Sequence, residues 1–295
     1  MNDLEHYLPI QNELGETPIW APNEKLLYWV DIGSHMIFRI DPKTKKYESF
    51  KPDMPVRGLF RRNSNDWLMI TDAGLAFWDR SSNTCEFIID PYIDQPDLQF
   101  NDGTIDRQGR LLAGSFNSVQ PDAPDGSLYR LDSDRSLHKL DQNLVLSNGV
   151  AISPDGETVY VSEMRANKIT AYDYDIESGT VNNRRVFVAI PKDAGKPDGL
   201  TVDSQGFVWA AHWGGWRVTR YDPAGKLERE IRIPTENATW IGFGGENLNE
   251  LFITTAWYDL SDQQRQDQPL AGDLFRIQTD ITGITEPVFD GRTSV

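Results

Sequence analysis

One unit of four short apolar runs recurs six times along the chain, and this repeat limits the fold more than any other feature. Its second run reads LLYWVDI (26–32), WLMITDA (67–73), LLAGSF (111–116), VYVSEM (159–164), VWAAHW (208–213) and LFITTAW (251–257). Ahead of each stands a short run ending in a polar turn, as in TIDRQG, GVAISPDG and GLTVDSQG. Behind each follows a third run, as in MIFRID, GLAFWD and RVTRYD, and most units end on a fourth, such as KYESF, CEFII or LEREIRI. The runs are rich in Val, Ile, Leu and aromatic residues and are broken by Gly, Asp, Asn and Pro. That is the pattern of hairpins, and helical periodicity is almost absent. Four strands in roughly 40–50 residues is the period of a propeller blade. The expected fold is all-β: a six-bladed β-propeller with four antiparallel strands per blade around a central channel. Six repeats fill residues 1–295 as a single propeller domain. The segment near Tyr7 to Ile10 is expected to close the ring as an extra strand of the last blade.

The remaining bulk features narrow the function. A net charge of −16, spread along the chain, repels phosphate backbones and anionic lipid, so neither nucleic acid nor membrane is an expected partner. No run approaches the ~18 apolar residues of a membrane span. MNDLEHYLPI reads as neither signal nor anchor, and the expected location is cytoplasmic. Cys85 is the sole cysteine, which excludes an intramolecular disulfide or a thiolate cluster. Two acid-rich stretches, from Asp132 and from Asp173, mimic a calcium loop but lack its central glycine and are read as hairpin turns. No nucleophile elbow or zinc-protease helix motif occurs.

Aligning the repeats on the turn after the first strand, and counting back five residues, lands on Glu16, Arg57, Asn101, Asn148, Asp198 and Trp240. First strands line the channel of a propeller, so residues at one phase form a ring around it. Glu16, Asn101, Asn148 and Asp198 then converge at one end. Two carboxylates and two amides are hard oxygen donors, which suit one divalent cation: Ca²⁺ foremost, with Mg²⁺, Mn²⁺, Zn²⁺ and Fe²⁺ also compatible. The competing reading is that these groups cap strand starts or bind channel water.

The motifs LGETPIW (14–20), FNDGTIDRQGRLLAG (100–114), LSNGVAISPDG (146–156), PDGLTVDSQGFVWAAHWGG (197–215) and QPLAGDLFRI (268–277) together resemble the senescence marker protein-30, gluconolactonase and sugar-lactonase family. The resemblance covers essentially the whole chain, with the motifs in order. It implies a six-bladed propeller with one central divalent metal, ligated by Glu16, Asn148 and Asp198, and with Asn101 contacting substrate or lying near the metal. It also implies a carboxylic ester hydrolase that opens an aldonolactone, such as glucono-, xylono- or arabinonolactone, to the aldonic acid. Where animal members carry an arginine two residues before the asparagine, this chain has Gln99.

On this reading the metal polarises the lactone carbonyl and Asp198 is the catalytic residue, as general base or as the group that orients the water. Substrate contacts are expected from Asn101, Gln99, Arg57, Asn117, His212 and Trp213, with Asp72, Glu163 and Trp257 as further candidates at second-strand ends. Trp240 is expected to plug the channel, and the polar stretch 258–272 to cover the pocket. Two other functions compete. A propeller that serves only as a binding scaffold would lack a ring of oxygen donors and show an apolar mouth. A paraoxonase-like esterase would need a histidine-based site, and none of the four histidines falls in the ring.

Overall fold

The structure, a computed structural model, describes residues 4–62 and 66–290. Its strands form six antiparallel sheets of four strands each, five built from consecutive strands. The sixth combines Asn237–Gly244, Glu250–Ala256 and Leu274–Gln278 with the N-terminal strand Glu5–Leu8. This is the expected six-bladed β-propeller. The closing strand lies slightly earlier than expected, with Glu5 opposite Arg276 and Leu8 opposite Leu274. Arg276 fastens the closure through Glu5 (2.7 Å) and Glu250 (2.8 Å).

Burial decreases outward across each blade, and the residue types follow it. The first strand Asn237–Gly244 is buried throughout, and the second strand Leu26–Asp31 almost throughout, because neighbouring blades cover both faces. A strand covered on both faces reads as a continuous apolar run rather than an alternating one. The outermost strands, such as Tyr47–Phe50, are mostly exposed. Aromatic rings join the blades: Tyr28 lies 4.3 Å from Trp67 across the first boundary, and Trp209 lies 6.0 Å from Phe243 across the last. Trp209 is fully buried and donates its indole N–H to Asp203 Oδ2 (2.9 Å). Asp203 also caps its own turn, accepting from the backbone of Gln205 and Phe207. Truncating Trp209 would therefore open a cavity and remove one donor from a buried carboxylate that keeps its other partners, a loss of about 3–5 kcal/mol.

The acid-rich stretch from Asp173 forms a hairpin whose turn is capped by Asp175, as expected. Cys85 is half-buried, and burial followed by the nearby Asp53 pushes its thiol up to about 12, so it stays protonated. Among the described residues no helix is long and apolar enough to cross a membrane.

Beyond the last strand the chain crosses the face opposite the candidate site. Gly283 donates to Leu248, Phe289 to Arg61 and Asp290 to Gly109, so this tail touches three different blades. Residues 284–287 and Trp240 line a void of only about 70 Å³ at that end of the channel.

Candidate functional site

The opposite end of the channel opens into a cavity of about 460 Å³. Glu16, Arg57, Asn101, Asn148 and Asp198, from five different blades, all line it, together with Gln99 and Trp213. That volume holds a monosaccharide-sized ligand.

These side chains reach the channel because every first strand breaks register with the second strand of its blade. Asn101–Asp102, Asn148–Gly149 and Asp198–Gly199 each stand as two residues against one on the neighbouring strand. Arg57 is likewise the extra residue of its blade. Such bulges re-aim side chains and end regular pairing, here just where the channel widens. In the first blade Ala21 is still paired with Leu26, so the turn begins at Pro22 and the phase-equivalent residue is Thr17. Glu16 lies one residue earlier. Thr17 takes a positive φ of 50°, costly for a β-branched residue, and this local kink accompanies the entry of Glu16 into the cavity.

The bulges also explain the glycines of the SNG and PDG motifs. A Cβ on Gly149 would lie 2.3 Å from the Leu200 nitrogen, and one on Gly199 would lie 2.5 Å from the Trp240 ring. Adjacent first strands approach too closely for a side chain there. Trp240 accordingly packs over Gly199 and faces the small void on the far side, rather than the large cavity.

Asp102 is a site residue that phase counting missed. It follows Asn101, and a regular strand would turn it away; the bulge instead brings both into the cavity lining. Glu16, Asp102 and Asp198 are all buried, at 7 %, 4 % and 1 % exposure. Each retains a buried oxygen with no hydrogen-bond partner: Oε2 of Glu16, Oδ2 of Asp102 and Oδ1 of Asp198. All three carboxyls are held well above their usual range. Burial is the main cause, and mutual repulsion adds to it for Glu16 and Asp198, against partial relief from Arg57 at Glu16 and from the Asn148 amide at Asp198. Three acids sharing one enclosed space favour either proton uptake or a cation.

The donor set fits a divalent cation: hard oxygens only, three of them unpartnered. Among the described residues no three carboxylate, imidazole or thiolate side chains converge closely enough to cage a metal alone. A cation would therefore need the Asn148 amide and solvent to complete its coordination, which keeps positions open for substrate. Asn148 donates through Nδ2 to the Met164 sulfur at 3.6 Å.

Arg57 is held by Asp72 (3.2 Å) and donates to Asn101 Oδ1 (3.1 Å), with its guanidinium over the Phe116 ring. Asn101 in turn donates to the Ser147 carbonyl (3.2 Å). Arg57 thus pairs with Asp72 rather than with Glu16.

Two expected substrate contacts lie elsewhere. Asn117 lines a separate surface cavity, binds Asp125 and caps the Val119–Gln120 turn. Its neighbour Phe116 faces the site instead. His212 is fully buried against Thr219 (2.7 Å), and burial, then Arg217, lowers its pKa to about 3, so it stays neutral. Its neighbour Trp213 faces the site. Of the further candidates, Glu163 is tied up with Thr170, Arg184 and Lys168, and Trp257 lies against Gln11 and Arg265. The stretch 258–272 contributes Tyr258 and Asp259 to the cavity wall, whereas its short helix Asp262–Asp267 stands apart from it.

Residues 14–257 match the family described as SMP-30/Gluconolactonase/LRE-like region. Regucalcin of Xenopus laevis is 32 % identical over 288 residues, covering 95 % of each chain. The pentonolactonase of Haloferax volcanii is 34 % identical over 281 residues, covering 92 % of this chain and 93 % of its own. A crystal structure of a calcium-binding protein, regucalcin, from Agrobacterium tumefaciens superposes with a TM-score of 0.90 over 95 % of both chains at 24 % identity, a likeness of fold. The chain belongs to the SMP-30/gluconolactonase/LRE-like family.

Proposed function

We propose that the protein hydrolyses sugar lactones to their aldonic acids in this cavity, with the help of one divalent cation. The observation that carries the reading is the trio of buried carboxyls, each with an unpartnered oxygen, at the inner end of a polar cavity. Membership of a family that includes a pentonolactonase supports the choice of substrate class. Glu16, Asn148 and Asp198 would hold the cation, with Asp102 adding negative charge beside them. Such a cation, when bound, polarises an ester carbonyl and offsets the charge that grows on its oxygen as water adds.

The chain's own groups supply the rest. Asp198 accepts a proton from the attacking water as its oxygen bonds to the carbonyl carbon. The ring C–O bond then breaks, and Asp198 passes the proton it took from water to the departing ring oxygen, so one lactone and one water give one hydroxy acid and the base is restored. Asn101 and Arg57, cross-braced by their mutual hydrogen bond, present a pre-ordered polar wall to sugar hydroxyls. Trp213 and Tyr258, with ring centroids 6.5 Å apart, form an apolar wall for the sugar's C–H face. His212, neutral and walled off by burial, takes no part.

The test is a panel of aldonolactones assayed by acid release, using protein stripped with chelator and reloaded separately with Ca²⁺, Mg²⁺, Mn²⁺ or Zn²⁺. Turnover restored by at least one metal is expected. Failure to open any aldonolactone under any of them would overturn the reading in favour of a binding scaffold.

A further inference from the structure

The cavity has two electrostatic ends. Its inner end is acidic, as described. Toward the mouth, two basic residues, Lys196 and Arg165, line the same space, with Glu13 and Asp259 also on its wall. Lys196 begins the strand Lys196–Val202 that carries Asp198, so the two backbones are at most about 7 Å apart along the chain. Arg165 lies in the 3-10 turn Met164–Ala166, next to the methionine that receives the Asn148 amide.

Neither cation is held tightly within the protein. Among the described residues the Lys196 ammonium has no hydrogen bond and no ion pair, although the chain carries 45 acidic side chains against 29 basic ones. Arg165 has only Asp122 at 4.0 Å, a residue 80 % exposed. The two cations are near enough to repel each other, with Asp122 and Asp259 offsetting that charge from outside ion-pairing range of Lys196. Other basic side chains of this protein are tied up far more tightly: Arg220, for example, is bound by Asp203, Glu228 and Gln205. Two cations facing one cavity, with acids that pair only loosely with them, leave room for the negative charge of a ligand.

Resting on the lactonase reading above, we propose that the substrate is a sugar lactone bearing an anionic group, phosphate or carboxylate, on the end away from the reacting carbonyl. Lys196 and Arg165 determine this specificity. A lactone lying along the cavity places its carbonyl at the carboxyl trio and its far end between the two cations. The guanidinium offers paired N–H donors to the oxygens of such a group, and the ammonium adds a point charge. A neutral sugar would be served by Asn101, Gln99 and Arg57 alone and would leave both cations unmatched.

The test compares kcat/KM of the full chain, metal-loaded, on 6-phosphoglucono-1,5-lactone and glucaro-1,4-lactone, each against the neutral gluconolactone of the same ring size. The expected result is a preference for a charged lactone of about tenfold or more, weakening as salt is raised. In Lys196→Gln/Arg165→Gln that ratio falls about tenfold, chiefly through KM, and Lys196→Arg retains most of it. A preference for phosphate over carboxylate, or the reverse, assigns the group. Equal or better turnover of the neutral lactones by the wild type, or a ratio unmoved in the double variant, overturns the inference while leaving the lactonase reading intact. If no lactone is opened at all, calorimetric binding of 6-phosphogluconate, glucarate and gluconate decides it. Tighter binding of a terminally charged acid than of gluconate, lost in the double variant, supports the anion site; equal binding refutes it.

Discussion

Gly149 and Asp198 meet across a blade boundary so closely that a Cβ on Gly149 would lie 2.6 Å from the Asp198 carbonyl oxygen. One first strand thus buttresses the backbone that carries the proposed base of the next blade. Gly149→Ala has no flexible neighbour to displace, since the atoms it meets are backbone. It should destabilise the fold by about 1–3 kcal/mol. It should also lower kcat/KM on any accepted lactone by more than tenfold at temperatures where the variant is fully folded, because a displaced Asp198 mispositions the reaction. Urea denaturation and steady-state kinetics on the same sample check both.

Replacing a carboxyl of the trio should separate folding from function. Asp198→Asn and Asp102→Asn each remove a buried group whose ionisation burial opposes. Metal-free, either variant should melt no lower than the metal-free wild type. Asp198→Asn should lose at least about 10³-fold in kcat. Adding Ca²⁺ at about a hundred times its dissociation constant should stabilise the wild type by about 2.7 kcal/mol. Asp198→Asn should show little of that gain. Calorimetric melting with and without metal reads this independently of turnover.

Glu286 gives a pH dependence away from the site. It lies in the tail that closes the far end of the channel, and burial raises its carboxyl to about 7, against a small opposing effect of Arg61. Below about pH 4.5 the group is protonated in both folded and unfolded chains. As pH rises from there to about 7 the unfolded chain gives up the proton first, so this contribution to stability is lost over that window. Partial access to solvent limits the loss to about 1–2 kcal/mol. Glu286→Gln should therefore raise the melting temperature by about 2–3 °C at pH 8 and leave it unchanged at pH 4.5. An equal shift at both pH values would show that packing, not ionisation, is responsible.

Ring closure rests on the pairing of Glu5–Leu8 with Leu274–Gln278. Deleting residues 1–9 strips the last blade of its outer strand and exposes Tyr7's former seat against Phe252. It also frees Arg276 from Glu5. The shortened chain should unfold at markedly lower urea, with the last blade most exposed to hydrogen exchange. Glu5→Gln alone, which keeps the strand but breaks the ion pair, should cost no more than about 1 kcal/mol. Comparing the two separates strand pairing from charge.

Strand content, the six-fold repeat, the ring closure and most of the channel ring were legible from the residues alone, because they depend on local chemistry. Apolar runs of strand length, turn residues at a fixed spacing and a repeating period all act between near neighbours. Arg57, Asn101, Asn148 and Asp198 share one phase of that repeat and Glu16 lies one residue from it, close enough for all five to be found by counting. Tertiary structure alone decided which neighbour of each such residue faces the cavity. Successive strand residues point to opposite sides, so an error of one position exchanges Asn117 for Phe116 and His212 for Trp213. A bulge suspends that alternation, and so Asp102 joins Asn101 in the site. Lys196 and Arg165 come together only because two blades meet at that edge of the channel, a contact no periodicity within either blade encodes.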